Sequence, residues 1–168
     1  PPPPPPKPPK PPKPPPMPAE EAVAARAALF ERFAAVACMN GNLRQLEPMS
    51  RVWAVSDLHV EHKENWNWLA RLPALFQEDG LIIAGDLCTR LSLMRETFVM
   101  LTAQFKYIFY VVGNHELWLS EADGIDDSLE KYIQILELCK EVGVVATPAI
   151  VRPRRPGERP PICLCPLH

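Results

Sequence analysis

The sequence predicts an α/β fold, a largely parallel sheet covered by helices, and three observations carry that prediction. Short apolar runs at 52–55, 81–84 and 108–112 alternate with longer segments of helical periodicity. The runs are evenly stepped. Asp57 to Asp86 is 29 residues and Asp86 to Asn114 is 28, the spacing a strand–helix–strand unit needs to set successive strands side by side. Each run also ends in polar residues of one chemical kind: Asp57-Leu58-His59, Gly85-Asp86 and Gly113-Asn114-His115-Glu116.

The elements follow in chain order. Residues 1–18 are proline, lysine and one methionine, with 14 prolines. Proline fixes φ and offers no donor, so this stretch reads as a disordered, extended polyproline tail that spans roughly 50 Å at about 3.1 Å per residue. It is either a solvated spacer or a ligand for a proline-binding module. Residues 19–38 turn abruptly Ala-rich, and Val23, Ala27, Phe30, Phe33, Ala34 and Ala37 recur at helical spacing. Glu20 and Glu21 suit the start of that helix. Asn40-Gly41-Asn42 ends it, and residues 40–50 read as a linker, so 19–50 is a helix and linker ahead of the domain proper at 51–168.

Strand 51–56 leads into a helix from about 62 whose face carries Trp68, Leu69, Leu72, Leu75 and Phe76, with Pro73 interrupting it. Strand 81–84 precedes a helix over 90–105 with Leu91, Met94, Phe98, Leu101 and Phe105 on one face. Strand 107–112 is apolar on both sides. After the acidic loop 121–127 comes a helix over 128–141, with Leu129, Ile133, Leu136 and Cys139 inward. Residues 144–146 and 162–165 read as two further strands, separated by the Pro/Arg loop 152–161. There is no internal repeat.

Composition narrows the classes. The net charge is -2 over 168 residues, and without the three tail lysines it is -5, so a nucleic-acid binder of the usual basic type is not indicated. No apolar run approaches the roughly 18 residues of a membrane span, and no signal-peptide core is visible at the start. Five cysteines (Cys38, Cys88, Cys139, Cys163, Cys165) lack the spacing of a disulfide framework. They read as reduced thiols, hence an intracellular, cytoplasmic protein. The acids of the Ala-rich helix fit an organelle-targeting helix poorly, though targeting stays open. Cys163-x-Cys165 reads as alternation in a short strand, with metal binding as the other reading. Both chain ends look cut.

In open α/β sheets, ligands bind beyond the carboxyl ends of the strands, which is where all three polar strings fall. Asp57 and His59, two apart, offer an oxygen and a nitrogen donor to one ion, a mixture suited to manganese, iron or zinc. Asp86 follows Gly85, which allows a tight bend, and a carboxylate has two oxygens with which to bridge cations. Asn114 offers a neutral carbonyl, and His115 beside it an acid for near-neutral pH. Each string alone is a common turn or cap; their order and even spacing after three strands make a metal site.

These strings, in this order, resemble the calcineurin-like metallophosphoesterase superfamily, and the stretch Ser56-Asp57-Leu58-His59, Ala84-Gly85-Asp86, Gly113-Asn114-His115-Glu116-Leu117-Trp118 is similar to a plant and algal branch of it. The resemblance covers 51–168. It implies a β-sandwich flanked by helices and a hydrolase of phosphoesters that uses water activated between two metal ions (manganese, iron or zinc). By position, Asp57 and His59 would hold the first metal, Asp86 would be shared, Asn114 would bind the second, and His115 would donate a proton to the leaving oxygen. Glu116 would hold the loop by hydrogen bonds.

The chain departs from the family pattern in two ways. Thr89 stands where some members carry a carboxylate or amide that orients the catalytic histidine. The further histidine and the Gly-His-x-His string of later strands are missing: His62 reads as a surface residue at a helix start, and His168 ends the chain. The second metal's shell is therefore incomplete, and only the first βαβαβ half is expected, with the second sheet encoded beyond residue 168. The loop arginines Arg152, Arg154, Arg155 and Arg159 and the acidic run Glu121, Asp123, Asp126, Asp127 read as solvated. Two functions compete. One is a metal-dependent phosphoesterase acting on a phosphoester of unspecified class, weakly active as this fragment. The other is a catalytically inactive truncated domain that binds partners through its proline-rich tail.

Overall fold

A computed structural model describes residues 17–37, 43–119, 124–155, 157 and 159–166. Eleven elements follow one another: α1 (Ala19–Ala37), β1 (Arg44–Leu46), β2 (Val52–Val55), α2 (Lys63–Ala70), β3 (Gly80–Ala84), α3 (Leu91–Gln104), β4 (Tyr107–Val111), a 3-10 turn (His115–Leu117), α4 (Ser128–Val142), β5 (Ala149–Val151) and β6 (Ile162–Leu164). The expectation for the proline-rich start lies, over residues 1–16, outside the described residues, as do Asn40-Gly41-Asn42, Glu121, Asp123 and His168.

β2, β3 and β4 form a parallel sheet in sequence order. Strand period two divides its side chains between two cores. Leu81, Ile83, Ile108 and Tyr110 face the helices, among Met94, Phe98 and Leu101 of α3 and Ile135, Leu136, Leu138 and Cys139 of α4. Ile82, Tyr107 and Phe109 face the other way, toward Leu46, Ala149, Val151 and Leu164. The helical periodicity thus identifies the inward faces of α3 and α4. α2 stops at Ala70, three residues ahead of Pro73, whose ring cannot continue it. Of its expected face only Leu69 is buried; Trp68 and Leu75 are exposed.

The second sheet requires a correction. It is not wholly encoded beyond residue 168, because β1, β5 and β6 already form a three-stranded sheet in the order β1-β5-β6 that covers one face of β3 and β4. Residues 44–46, read as linker, are its parallel edge strand, and 149–151 is a strand the periodicity did not reveal. The expected strand at 144–146 shrinks to one bridge, Phe109 with Val145. The result is a helix–sheet–sheet sandwich. Its coverage is thin in two places: β2 leaves Val52 and Trp53 exposed, and α1 buries no residue fully. α1 meets the core through Phe33, Val36 and Ala37 near its end, and Arg32 pairs with Glu130 and Glu137 of α4. Among the described residues no helix is long and apolar enough to cross a membrane.

Candidate metal centre

The three polar strings meet because the strands carrying them are in register. Asp57 N–H donates to Gly85 O at 3.2 Å, His59 N–H to Asp86 O at 3.0 Å and Val60 N–H to Leu87 O at 2.9 Å. The β2–β3 ladder therefore continues past the strand ends as the chains turn. Asn65 on α2 donates to Leu58 O at 2.8 Å and pins that turn from the helix side.

The backbone at this edge is unusual. Asp57, His59 and Asp86 lie at φ 55°, 41° and 54°, the only non-glycine residues in the left-handed region among those described. Such conformations cost on the order of 1–2 kcal/mol per residue outside glycine, and they persist where surrounding structure over-determines them, often at functional sites. Gly85 joins them at φ 83°, and a Cβ there would stand 2.9 Å from Gly113 Cα. Gly113 is required for room: its Cβ would meet Asp86 Oδ1 at 2.2 Å and Asp86 N at 2.5 Å.

Glu116 locks the arrangement. It is fully buried, and its carboxylate accepts from Leu87 N at 2.5 Å, Gly113 N at 2.9 Å and Asp86 N at 3.1 Å. Asp86 Oδ1 in turn accepts from His115 N at 3.1 Å. The loop-holding role expected for Glu116 is thus what its hydrogen bonds perform.

Ligand-type atoms of His59, Asp86 and His115 all lie within 4.8 Å of one another, and all three side chains are half-buried. The imidazoles of His59 and His115 meet edge to face, 4.8 Å between centroids. Two nitrogens and a carboxylate oxygen at that separation form a donor set for manganese, iron or zinc. Asp57, exposed on the same edge, does not join this group of acidic and imidazole donors, and Asn114, also exposed, stands beside His115 at the start of the 3-10 turn. His115, expected as an acid, stands inside the donor cluster. His62 is exposed, with its ring 6.4 Å from that of His59.

Two neighbours were not singled out for this edge by the sequence. Glu61 Oε1 is 3.7 Å from His59 Nδ1. Trp118, more than half exposed, lays its indole 3.8 Å from the His115 ring centroid. The second follows from spacing that could have been read, since residues i and i+3 of a helical turn share a face. Cys88, two residues past Asp86, is buried, and burial pushes its thiol up to about 12.

The chain matches the calcineurin-like phosphoesterase family over residues 50–152. It is similar to the acyl-carrier-protein phosphodiesterase PptH of Mycobacterium tuberculosis, with 35% identity over 95 residues that make up 56% of this chain and 29% of that protein. The crystal structure of phosphopantetheinyl hydrolase (PptH) from the same organism superposes with a TM-score of 0.59 at 29% identity, over 70% of this chain and 42% of the other. The chain therefore spans less than half the length of these relatives.

Proposed function

The chain belongs to the calcineurin-like phosphoesterase family, and on that premise we propose that it hydrolyses a phosphoester using divalent metal ions held at the ends of β2, β3 and β4. The observation that carries the reading is the convergence of His59, Asp86 and His115 within 4.8 Å on a backbone already bent for it. Asp57 and His59 would hold the first ion, Asp86 would be shared, Asn114 would serve the second, and manganese, iron and zinc would all suit these donors. Bound ions supply Lewis acidity, making a water nucleophilic near neutral pH and offsetting the charge that builds on the phosphoryl oxygens.

The protein's own residues do the rest. Glu116 fixes Asp86 through its backbone N–H, so the carboxylate needs little reorganisation on binding. His115 delivers a proton to the leaving oxygen, a task suited to imidazole. Its ring is held between Trp118 and His59, a positioning that Thr89 does not have to provide. With Asp86 and Asn114 as its ligands among the described residues, the second ion would be held weakly, and slow turnover is expected. A phosphodiester is the substrate class supported by the name of the similar phosphodiesterase.

The test is release of nitrophenol from bis(4-nitrophenyl) phosphate and from 4-nitrophenyl phosphate, with and without manganese. Slow manganese-dependent hydrolysis, faster on the diester and lost in Asp86→Asn, is expected. Hydrolysis that survives a chelator or the Asp86→Asn change would overturn the assignment, and vigorous turnover would overturn the weak second site.

A further inference from the structure

Away from the strand ends, the described cysteines divide sharply. Cys88 and Cys139 are buried, and burial pushes both thiols up. Cys163 and Cys165 are exposed, with their sulfurs 3.5 Å apart. Their placement follows from β6. Leu164 packs into the core between the sheets, so by strand alternation its two neighbours face away from it. Cys163 is opposite Ile150 on β5, which is opposite Gln45 on β1. The sulfur pair therefore stands on the outer face of the second sheet, at its edge strand, on a different sheet from the strand-end cluster.

We propose that Cys163 and Cys165 form a bidentate thiolate site for a thiophilic divalent cation such as zinc, its remaining coordination positions open to ligands from outside the pair. Distance favours chelation over a disulfide. Two sulfurs on a tetrahedral zinc, each at ~2.3 Å, stand roughly 3.8 Å apart, so the pair reaches that edge by opening a few tenths of an ångström. A disulfide needs the sulfurs at ~2.05 Å, and residues two apart on a strand stand about 6.6 Å apart, close to the upper limit of bridged Cα pairs.

Binding one zinc ion breaks two S–H bonds, forms two Zn–S bonds and releases two protons, so affinity rises with pH. The hydrogen bond between the thiols raises the Cys163 thiol, and the metal displaces the proton the two sulfurs share.

The full chain, reduced and carrying Cys38→Ser so that this thiol cannot contribute, is titrated with cobalt(II) as a coloured substitute for zinc. A near-ultraviolet sulfur-to-cobalt charge-transfer band is expected. It should be displaced by zinc, abolished by Cys163→Ser and by Cys165→Ser, and retained in Asp86→Asn. Zinc should also protect two thiols from a disulfide reagent in the parent chain. A band that survives either serine substitution, a band lost in Asp86→Asn, or cobalt binding without any band would overturn the proposal. So would a reduced chain that air converts to a Cys163–Cys165 disulfide in the presence of zinc, detected as a loss of about 2 Da from the two thiol hydrogens.

Discussion

Two buried carboxylates hold opposite ends of the same parallel sheet, and they do so differently. At the carboxyl ends of the strands, Glu116 accepts from three backbone N–H groups, those of Asp86, Leu87 and Gly113. At the other end Asp79, also buried, accepts from side chains: Arg51 Nε and Trp53 Nε1, each at 2.9 Å. The guanidinium of Arg51 lies over the Trp53 ring as well, 5.2 Å from its centroid. A carboxylate bound to backbone fixes the course of the chain, and here it fixes the loops that present Asp86 and His115. A carboxylate bound to side chains tethers a strand without dictating its path, and Asp79 ties the thinly covered β2 to β3. The functional edge is thus preorganised by main-chain bonds, while the opposite edge is held by contacts that substitution can exchange.

The largest expected effect breaks the first of these devices. Glu116→Ala strands three N–H groups, each costing about 1–3 kcal/mol when left unpaired, so a loss of at least ~3 kcal/mol is expected from urea unfolding. Against a typical total of about 5–15 kcal/mol this removes a large fraction of the stability. Glu116→Gln keeps one acceptor oxygen and should lose less. Equal, small losses in both variants would show that the backbone latch does not matter.

A smaller effect probes the room beside Asp86. Gly113→Ala sets a Cβ against Asp86 Oδ1 and N, and overpacking of this kind costs about 1–3 kcal/mol. The variant should also bind manganese more weakly than the parent, because the carboxylate must move. Unchanged affinity in a calorimetric titration would show that Asp86 is not held in a binding geometry.

The smallest effect concerns Asp79. The hydrogen bond from Trp53 and the adjacent Arg51 guanidinium hold its carboxyl below the ordinary carboxylate range. A carboxyl with a lowered folded pKa contributes stability that is complete above its unfolded value of about 4, and that contribution is lost as pH falls through the folded value. Acid unfolding of Asp79→Asn should therefore depend less on pH below about 4 than that of the parent. Parallel curves would mean that the tether contributes nothing.

How much of this was legible in the sequence differs between the two ends in the same way. The strand-end strings announce themselves, because each string begins one or two residues after an apolar run and the runs are evenly spaced. Glu116 sits inside one of those strings and could be read with it. Asp79 could not: Asp79-Gly80 looks like a plain turn, and its partners are 26 and 28 residues away on a neighbouring strand. The second sheet was hidden for a related reason. β1, β5 and β6 are three residues each, too short for alternation to stand out, and β1 pairs with a strand more than 100 residues later. His115 meets His59 and Asp86 at an edge where Asp57, His59 and Asp86 take left-handed φ values that no residue type dictates.

The central claim is that His59 and Asp86, which converge with His115 within 4.8 Å, hold a metal ion. The most direct test is the thermal unfolding midpoint with and without saturating manganese, for the parent, His59→Asn and Asp86→Asn. Ligand at a hundred times its dissociation constant adds about 2.7 kcal/mol, or roughly 5–10 °C for a domain of this size. That rise is expected in the parent and should be lost in both variants. A rise of equal size in all three, or none in the parent, would contradict it.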